Sequence, residues 1–80
     1  MSFIRGKVID VIEGPNEIVV RMLYQKGRLR MGSFPVDKSK LVQIIEGKEV
    51  GFNELKMDDV VNYFPQERKM IYLGHINYRE

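Results

Sequence analysis

The 80-residue chain has no cysteine and no tryptophan, and 44% of its residues are hydrophobic and 30% charged. A chain of this length buries only about 60% of the surface that its unfolded form exposes, which predicts one small domain over residues 1–80 and little room for a deep active-site cleft. No stretch approaches the ~20 apolar residues of a membrane span. The lack of cysteine and of an uninterrupted apolar N-terminal stretch leads us to expect a cytoplasmic protein.

The net charge of +2 is unevenly distributed along the chain. Residues 21–40 carry six Lys or Arg side chains against a single acidic one, Asp37, whereas residues 41–60 carry five acidic side chains against two basic ones. The basic segment could orient an anionic partner. Alternatively, its side chains could pair with those of the acidic segment across the fold, on an ordinary solvated surface of mixed charge. Both interpretations stay open at this point.

The first predicted strand runs from Phe3 to Ile12 and is rich in Val and Ile, with a bulge or bend expected at Gly6. It ends at the sequence Glu-Gly-Pro-Asn of residues 13–16, because Gly, Pro and Asn each favour a turn. A second strand follows from Glu17 to Gln25. Its alternation places Ile18, Val20, Met22 and Tyr24 on the core face.

The next segment predicts a hairpin with a tight turn at residues 26–27. Pairing Gln25 with Arg28 sets Met22 opposite Met31, so that Leu29 and Met31 face the core. The arginines at positions 28 and 30 then lie on the outer face. The sequence Phe34-Pro35 is expected to end this third strand.

Residues 38–45 predict a fourth strand, and Gly47 marks a reversal. Residues 48–64 allow two interpretations, since Met57, Val60, Val61 and Phe64 have helical spacing while residues 60–64 and 69–73 read as a hairpin. We favour the hairpin, with Tyr63 opposite Met70 and Val61 opposite Tyr72. A short helical turn is expected near residues 53–59.

Three segments together resemble small β-barrel domains of the OB-like and SH3-like families. They are residues 6–11 (GKVIDV), 16–20 (NEIVV) and 54–61 (ELKMDDVV). These families often carry Leu-Lys-x-Gly-Asp-x-Val before a late strand, and here Asp58 stands at the glycine position, where Asp tolerates the turn less freely than Gly. The resemblance implies an all-β fold, a small antiparallel barrel of five to six strands. It selects no function, because such barrels bind nucleic acids, proteins and carbohydrates.

Enzymatic chemistry has little support in the sequence, and we expect no catalytic residue, cofactor or metal site. His75 is the only histidine, and a Ser-His-acid triad requires Ser2, Ser33 or Ser39 to meet it. Glu54, Asp58 and Asp59 lack the interleaved oxygen ligands and the glycine of a calcium loop. The protein is therefore expected to be a binding module rather than an enzyme.

The predicted outer face of the second and third strands carries the one notable constellation. Guanidinium groups spaced along a sheet can follow a phosphate backbone, and an adjacent aromatic ring can stack on an unpaired base. The candidate nucleic-acid-binding residues are Arg21, Lys26, Arg28, Arg30, Phe34, Lys38 and Lys40. The competing interpretation is that the arginine stems merely cover apolar surface.

Two functions of different classes follow from this face. The first is binding of single-stranded or otherwise flexible nucleic acid through the basic hairpin. The alternative is a protein-interaction or homo-oligomerisation module, in which Val19 and Leu23 form the interface.

Overall fold

The computed structural model describes residues 2–75 and is mainly β, with one seven-stranded sheet. Neighbouring strands lie in the order β3-β2-β1-β6-β7-β4-β5, and all pairs are antiparallel except the parallel pair of β4 with β7. Within the described residues no helix has the length and apolar character needed to cross a membrane. The strands are β1 (Ile4–Glu13), β2 (Glu17–Lys26), β3 (Arg28–Asp37), β4 (Leu41–Ile45), β5 (Lys48–Gly51), β6 (Asp59–Phe64) and β7 (Lys69–His75).

The expected barrel of five to six strands is corrected to an open sheet of seven, with β3 and β5 at its edges. The edge strand β3 meets the second half of the sheet locally, where the Asp37 N–H donates to the carbonyl of Arg68 in the β6–β7 turn at 3.0 Å. The Tyr63 hydroxyl donates to the Pro35 carbonyl at 2.7 Å nearby. These contacts fix the far end of β3 against the β6–β7 turn without forming a ladder.

One side of the sheet curls around the core. Alternation along β2 buries Ile18, Val20 and Met22, as the sequence predicted, while Tyr24 is half-buried. The buried core cluster is Val8, Ile18, Val20, Met22, Val36, Leu41, Val61, Tyr63 and Met70. Removing such side chains from water stabilises the fold by about 1.5–3 kcal/mol each.

Glycine at position 6 allows a close approach of two strands rather than the expected bulge. A Cβ at Gly6 would lie 2.7 Å from the Leu23 carbonyl oxygen and 2.9 Å from the Met22 sulfur. The β1–β2 register shifts instead between Val8 and Asp10. The bulge therefore falls later in β1, where the strand bends away from its pairing with β6.

The second half of the chain agrees with the hairpin interpretation. Tyr63 pairs with Met70 and Val61 with Tyr72, as predicted. The expected helical turn near residues 53–59 is wrong, because the chain forms only a hydrogen-bonded turn in which the Asp59 N–H donates to the Lys56 carbonyl. The expected strand at 38–45 begins as a 3₁₀ turn (Lys38–Lys40) before β4, and β5 is a further strand.

Candidate binding surface on the β2–β3 hairpin

The β2–β3 hairpin pairs one residue away from the predicted register. Tyr24 lies opposite Arg30 and Leu23 opposite Met31, whereas the sequence had set Tyr24 opposite Leu29. A shift of one residue turns every side chain of a strand to the other face. The core-side residues of β3 are accordingly Arg28, Arg30, Gly32, Phe34 and Val36, and those on the outer face are Leu29, Met31, Ser33 and Pro35.

This register corrects the expectation that Leu29 and Met31 face the core. They are 64% and 57% exposed on the outer face, beside the half-buried Leu23. Ile12, which is 52% exposed, lies opposite Val19 at the other end of that face. We use the name outer apolar face for Ile12, Val19, Leu23, Leu29 and Met31.

The packing of Phe34 and Val36 explains the register. Phe34 lies 5.5 Å from Tyr24 and 5.1 Å from Tyr63 between ring centroids, and Val36 is fully buried. Their alternation continues through Pro35, so β3 does not end at the Phe34-Pro35 pair as expected. Proline is accepted there because β3 is an edge strand and no neighbour needs its missing N–H.

The predicted basic outer face is therefore not formed as expected. Of its members, only Arg21 lies on the outer face, where its Nη2 contacts the Met31 sulfur at 3.6 Å. Arg28 and Arg30 lie on the opposite side, beyond the core, and both are exposed together with Lys26 at the hairpin tip. The Arg30 Nε donates to the Lys26 carbonyl at 3.2 Å.

The remaining predicted site residues are separated from that tip. Lys38 forms an ion pair with Glu13 at 3.5 Å, and Lys40 is exposed on the 3₁₀ turn. Phe34 packs among aromatic rings and is half-buried. The structure thus brings together Lys26, Arg28 and Arg30 but not Lys38, Lys40 or Arg21.

The free edge of β3 is the feature that sequence reasoning missed. The Asp37 N–H and the Pro35 carbonyl both bond to groups away from β2. Backbone groups alternate sides along a strand, so the N–H and C=O groups of Leu29, Met31 and Ser33 also point away from β2. Within residues 2–75 no strand pairs with this edge. Extending the Phe34 and Val36 alternation back through Gly32 is the sequence signal for the register of β3, but it does not show that the strand lacks a second neighbour.

A recess of about 700 Å³ adjoins the hairpin, and Phe3, Arg5, Tyr24 and Lys26 are among its lining residues. Phe3 is 48% exposed, with its ring centroid 5.5 Å from that of Phe64. The recess combines cations with accessible aromatic surface.

His75 belongs to a different region. Its Nδ1 lies 3.0 Å from a carboxylate oxygen of Asp59, which is 3% exposed and whose other oxygen accepts the Lys56 N–H at 2.8 Å. The cavity that His75 lines, of about 520 Å³, includes no serine among its lining residues. Asp59 therefore holds the turn before β6, and the described residues contain no group of three or more potential metal ligands.

Comparisons of the chain with protein-family models, with curated proteins and with solved structures find no match.

Proposed function

We propose that this chain is a non-enzymatic protein-binding module that adds an extended segment of a partner protein to the free edge of β3. The observation that carries the proposal is the juxtaposition of unpaired backbone groups at Leu29, Met31 and Ser33 with the outer apolar face. Strand addition of this kind derives affinity from main-chain hydrogen bonds and selectivity from alternate side chains. The unpaired backbone groups of β3 would supply the hydrogen bonds, and the exposed apolar side chains beside them would supply the selectivity.

A partner segment fits this edge better than a second copy of the chain. Two copies could pair these edges antiparallel around a two-fold axis, with Leu29, Met31 and Ser33 of one copy bonded to the same residues of the other. In that register Met31 lies opposite Met31 of the second copy. The two Arg30 side chains then occupy diagonal positions on one face, about 7–8 Å apart, and like charges this close oppose pairing. The protein is therefore expected to be a monomer whose edge accepts a different sequence.

A backbone substitution at Met31 tests the proposal. The probe is a peptide of about eight residues that alternates leucine and threonine. We expect amide signals of Leu29, Met31 and Ser33 to shift and their hydrogen exchange to slow when it is added. Met31→Pro should abolish these changes because it removes an outward N–H that β2 does not use, whereas Met31→Ala retains the N–H and should bind.

Two outcomes oppose the proposal. Unchanged exchange at these three amides with excess peptide would show that the edge does not accept a strand. A salt-resistant dimer in light scattering, lost in Leu23→Glu, would assign the same face to self-association.

Single-stranded nucleic-acid binding is a second candidate, favoured by the recess of Phe3, Arg5, Tyr24 and Lys26. Aromatic rings stack on bases and neighbouring cations contact phosphates. Anisotropy of a labelled oligothymidine should then show an affinity that falls steeply with added salt. Lys26→Glu should weaken binding more than Lys40→Glu, since Lys40 lies away from the recess; equal effects would refute this candidate.

A further inference from the structure

We infer that the segment accepted by β3 alternates acidic and apolar residues. The inference rests on the proposed function, since it specifies the chemistry of the strand that the edge accepts. A strand added to β3 would present its side chains alternately to the two faces of the sheet. Near the hairpin tip β3 presents Leu29 and Met31 to the outer face and Arg28 and Arg30 to the other face.

The outer apolar face selects apolar side chains. Residues of an added strand that lie opposite Leu29 and Met31 share the outer face with them. Both side chains are more than half exposed, and Leu23 lies directly across from Met31 on β2. Apolar partner side chains would cover this surface, which increases the apolar area removed from water.

The core-side positions select acidic side chains. Arg28 and Arg30 alternate with the apolar residues along β3. The five ion pairs formed within residues 2–75 include neither of them, although Lys38, Arg68 and Lys69 each have an acidic partner. Carboxylates at two alternate positions of an added strand would supply the missing counter-charges.

The third core-side position has a different character. Gly32 follows Arg28 and Arg30, and the Tyr24 and Phe34 rings extend over it, within 3.2 Å of where a Cβ would lie. A partner residue opposite Gly32 therefore meets aromatic surface rather than a cation. Pro35 has no N–H to donate, which ends regular pairing, so the accepted segment spans about five to seven residues.

Three peptides that differ only in their alternate residues test this inference. Each has about eight residues and alternates leucine with glutamate, threonine or lysine. At about 20 mM salt we expect the glutamate peptide to bind roughly tenfold more tightly than the threonine peptide, and the lysine peptide to bind most weakly. The advantage should shrink at about 300 mM salt, because these charges are exposed.

Charge reversal in the protein provides the matched control. Arg28→Glu with Arg30→Glu should reverse the preference toward the lysine peptide. Lys38→Glu with Lys40→Glu makes the same change in net charge away from the edge and should leave the preference unchanged.

The failures of the two proposals are distinguishable. Equal binding of all three peptides, with slowed exchange at Leu29, Met31 and Ser33, would overturn the inference and leave strand addition standing. Binding of none would overturn both. Loss of the acidic preference in the Lys38 and Lys40 control as well would show that net charge, and not this edge, selects the peptide.

Discussion

The left-handed backbone conformation of Asp58 predicts that glycine stabilises the fold more than alanine at this position. Asp58 has φ of 76°, in the left-handed region, and its N–H donates to the Val8 carbonyl at 2.8 Å. An L-residue with a Cβ pays about 1–2 kcal/mol in this region, whereas glycine adopts it freely. Glycine in turn loses about 0.5–1 kcal/mol more conformational entropy on folding.

The net difference favours Asp58→Gly over Asp58→Ala by about 0.5–1 kcal/mol. Both variants lose the 3.9 Å ion pair with Lys7, so its contribution cancels in the comparison. At about 4–8 °C per kcal/mol for a domain of this size, the glycine variant should melt roughly 4 °C higher than the alanine variant. Thermal unfolding followed by circular dichroism measures this difference.

Asp10 provides the control, because it is an exposed residue of β1 that is not among those with positive φ. There the order should reverse, with Asp10→Ala more stable than Asp10→Gly. An alanine variant at position 58 that is as stable as the glycine variant would refute the assignment of strain to this turn.

Three further predictions follow from single contacts. Gly6→Ala places a Cβ 2.7 Å from a backbone carbonyl of β2 and should cost about 1–3 kcal/mol in urea unfolding, whereas Gly51→Ala meets nothing within 4 Å and should cost less. Burial raises the pKa of Tyr63 above 10.0, so its contribution to stability is present below pH 10 and is lost as the pH rises through the folded value. Tyr63→Phe should remove that alkaline loss and should cost about 1 kcal/mol at neutral pH for the missing hydrogen bond. The Ser39 hydroxyl and N–H lower the pKa of Asp37 below 3.8. The resulting contribution to folding stability is lost as the pH falls through the pKa of the folded state. Ser39→Ala should raise that pKa in an NMR titration, and an unchanged value would contradict the assignment.

The sequence predicted the elements of the fold better than their registers. The β6–β7 hairpin was correctly paired because one alternation runs through residues 60–64 and a single turn with Pro65 follows. β3 contains two competing alternations, one through Leu29 and Met31 and the other through Phe34 and Val36. Local hydrophobicity favours the alternation through Leu29 and Met31. The structure adopts the other alternation, because it buries Val36 and gives Phe34 its aromatic contacts.

The candidate surface was predicted only in part, because the register of β3 decides which of its side chains share a face. The β2–β3 hairpin and the outer positions of Val19, Arg21 and Leu23 were predicted from the sequence, but Arg28 and Arg30 were assigned to the wrong face. A free edge depends on which strands lack neighbours, and that is set by pairings between distant segments. Charge and alternation within one hairpin carry no information about those pairings.

The position of β1 in the sheet has a consequence for how the chain folds. β1 pairs with β2, its neighbour in sequence, and also with β6, where Ile4 meets Tyr63. The first three strands form through short turns, but within residues 2–75 the β1–β6 pairing is the only ladder that joins them to the other strands. Closing so long a loop is entropically costly, so folding should occur on the millisecond-to-second timescale typical of high contact order. We expect the pairing of residues 59–64 with β1 to be the step that limits this rate.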